Sequence, residues 1–165
     1  MDLCRGAHHD ERDHLEKLMH AVLEALRTFP SEDNPCLRDF PRGSCSVASF
    51  VIGSVFRERG LGDWTLVAGE GADEATGDYR THVWLELREN GETLFTLDAT
   101  AHQFPQWASG PLVVRGESPL ARYFAVRRDE APVSRPFERM GDAHHLRPLE
   151  YVRRKLAVDG QRERP

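Results

Sequence analysis

Thr81-His82-Val83-Trp84-Leu85-Glu86-Leu87-Arg88-Glu89-Asn90-Gly91-Glu92-Thr93-Leu94-Phe95-Thr96-Leu97-Asp98 reads as a β-hairpin. Its first arm alternates, with Val83, Leu85 and Leu87 on one face and His82, Trp84 and Glu86 on the other, the period of a strand. Asn90-Gly91 supplies turn chemistry, and the loop length then sets the register. A two-residue loop puts Val83 opposite Asp98 and Leu85 opposite Thr96, mixing polar with apolar partners on both faces. A three-residue loop, Glu89-Asn90-Gly91 with Gly91 left-handed at a bulge, pairs Val83 with Leu97 and Leu85 with Phe95. It also sets His82 directly opposite Asp98. The second register satisfies a core and brings an imidazole to a carboxylate, so it is the one expected.

Working upstream, Phe40-Pro41-Arg42-Gly43-Ser44-Cys45-Ser46-Val47-Ala48-Ser49-Phe50-Val51-Ile52-Gly53 is a turn that opens a helix. Pro41 and Gly43 break what precedes, Ser44 is a favourable N-cap, and Val47, Phe50, Val51 and Val55 recur near helical spacing. The helix is expected to run to about Arg59 and stop at Gly60. Cys45 falls in the first turn, where unpaired backbone N–H groups and the helix dipole favour an anion, the setting for a nucleophilic thiolate. A base near such a thiol needs a third group to hold its ring, and the hairpin offers His82 with Asp98 in those roles.

The flanks are simpler. Leu15, Leu18, Met19, Val22, Leu23 and Leu26 form the apolar stripe of a helix from about Asp10 to Thr28. Phe29–Asp39 is a connector rich in turn formers, Trp64–Gly69 a strand, and Glu70–Asp78 a polar loop expected to be exposed. Leu112–Val114 and Tyr123–Val126 are expected strands, Arg127–Asp142 an irregular connector, and Leu149–Val158 a final helix with Pro148 near its start. The whole is an α+β domain over residues 1–158, with N-terminal helices packed on an antiparallel sheet of about five strands and a polar tail at 159–165.

With 165 residues, the chain is large enough for one core without staples. A net charge of −5 and no basic patch argue against general affinity for nucleic acid or anionic membranes. No apolar leader or spanning segment is visible, which points to a cytoplasmic protein. The three cysteines, Cys4, Cys36 and Cys45, show no CxxC spacing and read as reduced thiols. His8, His9 and His14 are read as solvated, and no metal or organic cofactor is expected.

Three segments together, PRGSCSVASFVIGSVF, THVWLEL and LFTLDATAHQF, resemble the core of the transglutaminase-like branch of the papain-fold thiol enzymes. In that branch a Cys opens a helix, an H-x-W strand supplies the base and the next strand ends in Asp. The resemblance covers about Phe40 to Phe104. It implies Cys45 as nucleophile, His82 as base and Asp98 as orienting acid, with Trp84 matching the aromatic two residues after the base. For the second oxyanion donor it leaves Asn34 and Gln103 as candidates beside the Cys45 backbone N–H. The implied activity is acyl transfer on a peptide or protein substrate, by hydrolysis, deamidation or transfer. The alternative is a papain-fold domain that acts as a binding or regulatory partner.

Overall fold

The computed structural model describes residues 3–72 and 76–162. Residues Asp73, Glu74 and Ala75 of the expected polar loop, the His8 and His9 side chains and the last residues of the tail lie outside what is described. In chain order the elements are α1 (Leu3–Arg27), α2 (Pro35–Arg38), α3 (Cys45–Glu58), β1 (Trp64–Ala72), β2 (Tyr79–Glu89), β3 (Glu92–Asp98), β4 (Leu112–Arg115), β5 (Arg127–Pro132) and α4 (Ala143–Arg162). The five strands form one antiparallel sheet in the order β4-β3-β2-β1-β5. This is the expected α+β architecture.

Two apolar clusters lie on opposite faces of the sheet. On one face α1, α3 and α4 bury Leu15, Met19, Val22, Leu23, Val51, Ile52 and Val152 against Leu66, Val83, Leu85 and Leu97. Each such side chain contributes about 1.5–3 kcal/mol relative to exposure. Helix α3 approaches β2 closely because its facing residues are small. The Ser49 hydroxyl donates to the Val83 carbonyl at 3.1 Å, and a Cβ on Gly53 would stand 3.0 Å from Leu85 Cδ2. On the other face Val67, Trp84, Ala101, Phe104, Leu120 and Phe124 form a smaller cluster, covered by the segments after β3 and β4 rather than by helices.

The hairpin register differs from the expected one. Asn90 and Gly91 both take positive φ, 52° and 84°, and Glu89 pairs with Glu92, so the loop has two residues. This turn twists with the strands. Leu94 is then the extra residue of a bulge, since Arg88 pairs with Thr93 but Leu87 with Phe95, and Leu85 pairs with Leu97. The bulge restores the apolar pairing that a plain two-residue loop forbids. From Phe95 onward it leaves the pairing two residues from the expected register, a shift that keeps those side chains on the expected face. His82 and Asp98 therefore share a face as expected, but they meet diagonally rather than directly across.

Four other boundaries are corrected. Strand β1 continues to Ala72, so Glu70–Ala72 are paired rather than looped. Tyr123–Phe124 belong to a 3-10 turn, Ala121–Phe124, and the fifth strand is Arg127–Pro132. That strand is a charged edge with only Ala131 buried, which leaves no apolar alternation to read. The connector before Cys45 contains the short helix α2, and α4 begins at Ala143, ahead of Pro148. Ser44 does not cap α3 through its side chain; its hydroxyl donates instead to the Cys36 carbonyl at 2.5 Å.

Candidate active site

His82 anchors the site. It sits on β2 between Thr81 and Val83, its side chain is fully buried, and Gly69 is its partner on β1. The lack of a side chain at Gly69 makes room for the cover, since a Cβ there would stand 2.6 Å from Phe124 Cβ and 2.8 Å from Trp84 Cη2. Phe104, Phe124 and Trp84 thus enclose the imidazole, with ring centroids at 5.1, 5.2 and 5.9 Å.

Asp98, at the end of β3 and 1% exposed, accepts a hydrogen bond from His82 Nε2 at 2.7 Å. A carboxylate can only accept, so Nε2 carries a proton and Nδ1 is the nitrogen turned away from Asp98. The other Asp98 oxygen accepts from the Thr100 N–H at 3.2 Å, a local turn that fixes the carboxylate. On the far side of the ring, Gln103 Nε2 lies 3.0 Å from His82 Nδ1 and 3.3 Å from Thr100 Oγ1. Asp98, Thr100, Gln103 and His82 therefore close a ring of hydrogen bonds.

Cys45 opens α3, half-buried, with Ser44 fully buried behind it. It lies near enough to His82 to favour the protonated ring. Burial disfavours protonation of His82, but the Asp98 carboxylate and the Cys45 side chain outweigh it and raise the pKa to about 10. The arrangement gathers a thiol, an imidazole and a carboxylate, the three groups that nucleophilic catalysis by cysteine requires.

Of the remaining sequence candidates, Gln103 and Trp84 are brought to the His82 ring and Asn34 is not. Asn34 is spent on structure: its Oδ1 accepts from the Cys36 N–H at 3.0 Å as the cap of α2, and its Nδ2 donates to the His144 carbonyl at 2.6 Å. Pro148 explains the second bond, because a proline four residues on cannot supply the helical N–H to that carbonyl. Trp84 lies beneath the ring, 2% exposed, and its Nε1 donates to Glu86 at 2.9 Å. It faces the floor rather than a substrate. His102 packs near Phe40, and burial followed by the Arg27 charge lowers its pKa.

Sequence reasoning missed three parts of this region. Phe124 falls in Tyr123-Phe124-Ala125-Val126, a run whose composition predicts a strand, but it is buried in the 3-10 turn Ala121–Phe124. Glu86 is fully buried and accepts from Trp84, Arg88 and Arg128, and its place on the His82 face was the available signal. Ser46, next to Cys45, receives His145 Nε2 at 3.3 Å, while His145 Nδ1 lies 2.9 Å from Asp142; nothing local in the sequence marks that long-range link.

A groove of about 890 Å³ opens beside the site, lined by Cys36, Phe40, Arg42, Gly43, His102 and Gln103 among others. It runs between the loop that precedes Cys45 and the turn that follows Asp98. No group of three or more metal-ligating side chains occurs among the described residues, and no helix among them is long and apolar enough to cross a membrane. Comparison of the chain with protein-family models, curated proteins and solved structures found no match.

Proposed function

We propose that the chain is a cysteine-dependent acyl-transfer enzyme with a transglutaminase-like, papain-type core, acting on a peptide or glutamine-type amide. The observation that carries this reading is the buried His82, held at Nε2 by Asp98, with the Cys45 side chain near enough to favour the protonated ring. In the reaction Nδ1 takes the proton of the Cys45 thiol and the sulfur attacks the carbonyl. The tetrahedral oxyanion forms near the unpaired N–H groups of the first turn of α3. The same nitrogen then protonates the leaving amine as the C–N bond breaks, leaving a thioester on Cys45. Water or an amine, deprotonated by His82, resolves that thioester. The neighbouring groove of about 890 Å³ is large enough for several residues of a peptide.

The test is alkylation of Cys45 by iodoacetamide at pH 6 in the wild type and in His82→Ala. The proposal expects the variant to react at least tenfold more slowly. Equal rates would show that no thiol–imidazole pair exists and would end this reading.

A further inference from the structure

The position of Gln103 has a consequence for the chemistry of His82. Its amide nitrogen lies 3.0 Å from Nδ1, the nitrogen on which the proposed mechanism depends, and also lines the groove. An amide N–H can donate to Nδ1 only while that nitrogen keeps its lone pair, that is, while the ring is neutral. Once Nδ1 takes a proton, two donors face each other and the bond is lost.

The other neighbours of the ring do not do this. The Asp98 carboxylate on β3 and the Cys45 side chain on α3 both favour the protonated ring. Trp84, Phe104 and Phe124 are uncharged, and Gly69 on β1 presents no side chain. Gln103 is itself fixed by its second bond, to Thr100 Oγ1, whose backbone N–H binds Asp98.

We infer that Gln103 is a positioning residue that opposes protonation of His82 at Nδ1, so that the imidazole can both accept the Cys45 proton and surrender it to the leaving group. A base held by Asp98 alone would keep its proton after the thiolate forms, and an amide cannot leave without one. The donor from Gln103 makes the protonated ring shed its proton more readily as C–N cleavage proceeds. Gln103 also lies where a substrate entering the groove meets it. A carbonyl oxygen there competes for the same amide N–H and releases Nδ1 when an acyl donor is present.

This inference rests on the proposed thiol–imidazole pair, and one experiment separates the two. The rate of Cys45 alkylation by iodoacetamide is measured from pH 4.5 to 8.5 in the wild type, Gln103→Leu, Gln103→Glu and His82→Ala. Removing a neutral hydrogen bond worth about 1 kcal/mol shifts the profile of Gln103→Leu to lower pH by roughly 0.7 unit, about a fivefold faster reaction on its rising limb. Gln103→Glu, whose carboxylate accepts from a protonated Nδ1, moves the profile in the same direction and further. A packing role alone lowers the rate without moving the midpoint. Profiles that stay in place or move to higher pH in both variants overturn the inference while leaving the acyl-transfer reading intact. If His82→Ala instead reacts as the wild type does, the underlying reading fails.

Discussion

Replacing Asp98 by Asn converts the balance of forces on His82 into a measurable dependence of stability on pH. In the wild type the ring is fully buried, and burial pushes its proton affinity down while Asp98 and Cys45 push it up to a pKa of about 10. The unfolded chain has a histidine pKa near 6.5. A group whose folded value is raised gives stability that is complete below the unfolded pKa and is lost as pH rises through the folded one. Between pH 7 and pH 9 the folded state therefore holds almost one extra proton. The loss approaches 1.4 kcal/mol per pH unit, about 2 kcal/mol over the interval. In Asp98→Asn the largest remaining influence is burial, which lowers the affinity, so this loss disappears. Urea titrations of both proteins at pH 7, 8 and 9 read the effect. With an m-value of about 2 kcal/mol/M, the wild-type midpoint falls by about 1 M more than that of the variant. Groups that titrate in this range without acting on the ring are common to both proteins and cancel in the difference, and running the pair in a Cys45→Ala background removes the one neighbour whose titration is coupled to His82. Parallel midpoints across the three pH values would refute the assignment of Asp98 as the group that holds the His82 proton.

Two further outcomes follow from the packing around the site. Asn34→Ala leaves both the Cys36 N–H and the His144 carbonyl without partners, a cost of about 2–3 kcal/mol. Thermal unfolding should register this as a midpoint lower by roughly 5–10 °C, with His82 and Asp98 undisturbed. Gly71→Ala places a Cβ 1.8 Å from the Tyr123 carbonyl oxygen, so the Ala121–Phe124 turn must shift. The variant should lose about 2 kcal/mol or more and change its near-ultraviolet circular dichroism through the stacked Trp107–Tyr123 pair, whose centroids are 4.0 Å apart.

The parts legible in the sequence were those governed by local period. The stripe from Leu15 to Leu26 marks α1, the turn and apolar spacing around Cys45 mark α3, and the alternation in β2 assigns His82 to the face opposite Val83 and Leu85. Asp98 reached the same face because apolar pairing constrains the hairpin even when its loop is misjudged. Elements that draw their stability from elsewhere were not legible. Strand β5 is a row of exposed charges held by pairing with β1, and Phe124 is buried by a turn that folds over Gly69 and Gly71. The roles of Asn34 and Ser46 depend on partners in α4 more than 90 residues away, which no spacing in the chain announces.

The bulge at Leu94 makes the hairpin tolerant of one change in length and intolerant of another. With Leu94 deleted, Thr93 and Phe95 become neighbours, and a plain two-residue loop still pairs Phe95 with Leu87 and Leu97 with Leu85, so the core and Asp98 keep their faces. Deleting one residue between Phe95 and Asp98 has the opposite result, since it turns every later side chain over and sends Asp98 toward the helices. Single-residue variation in length should therefore be tolerated on the turn side of Phe95 and excluded beyond it. The spacing from Phe95 to Asp98 sets which side of the sheet holds a carboxylate for His82.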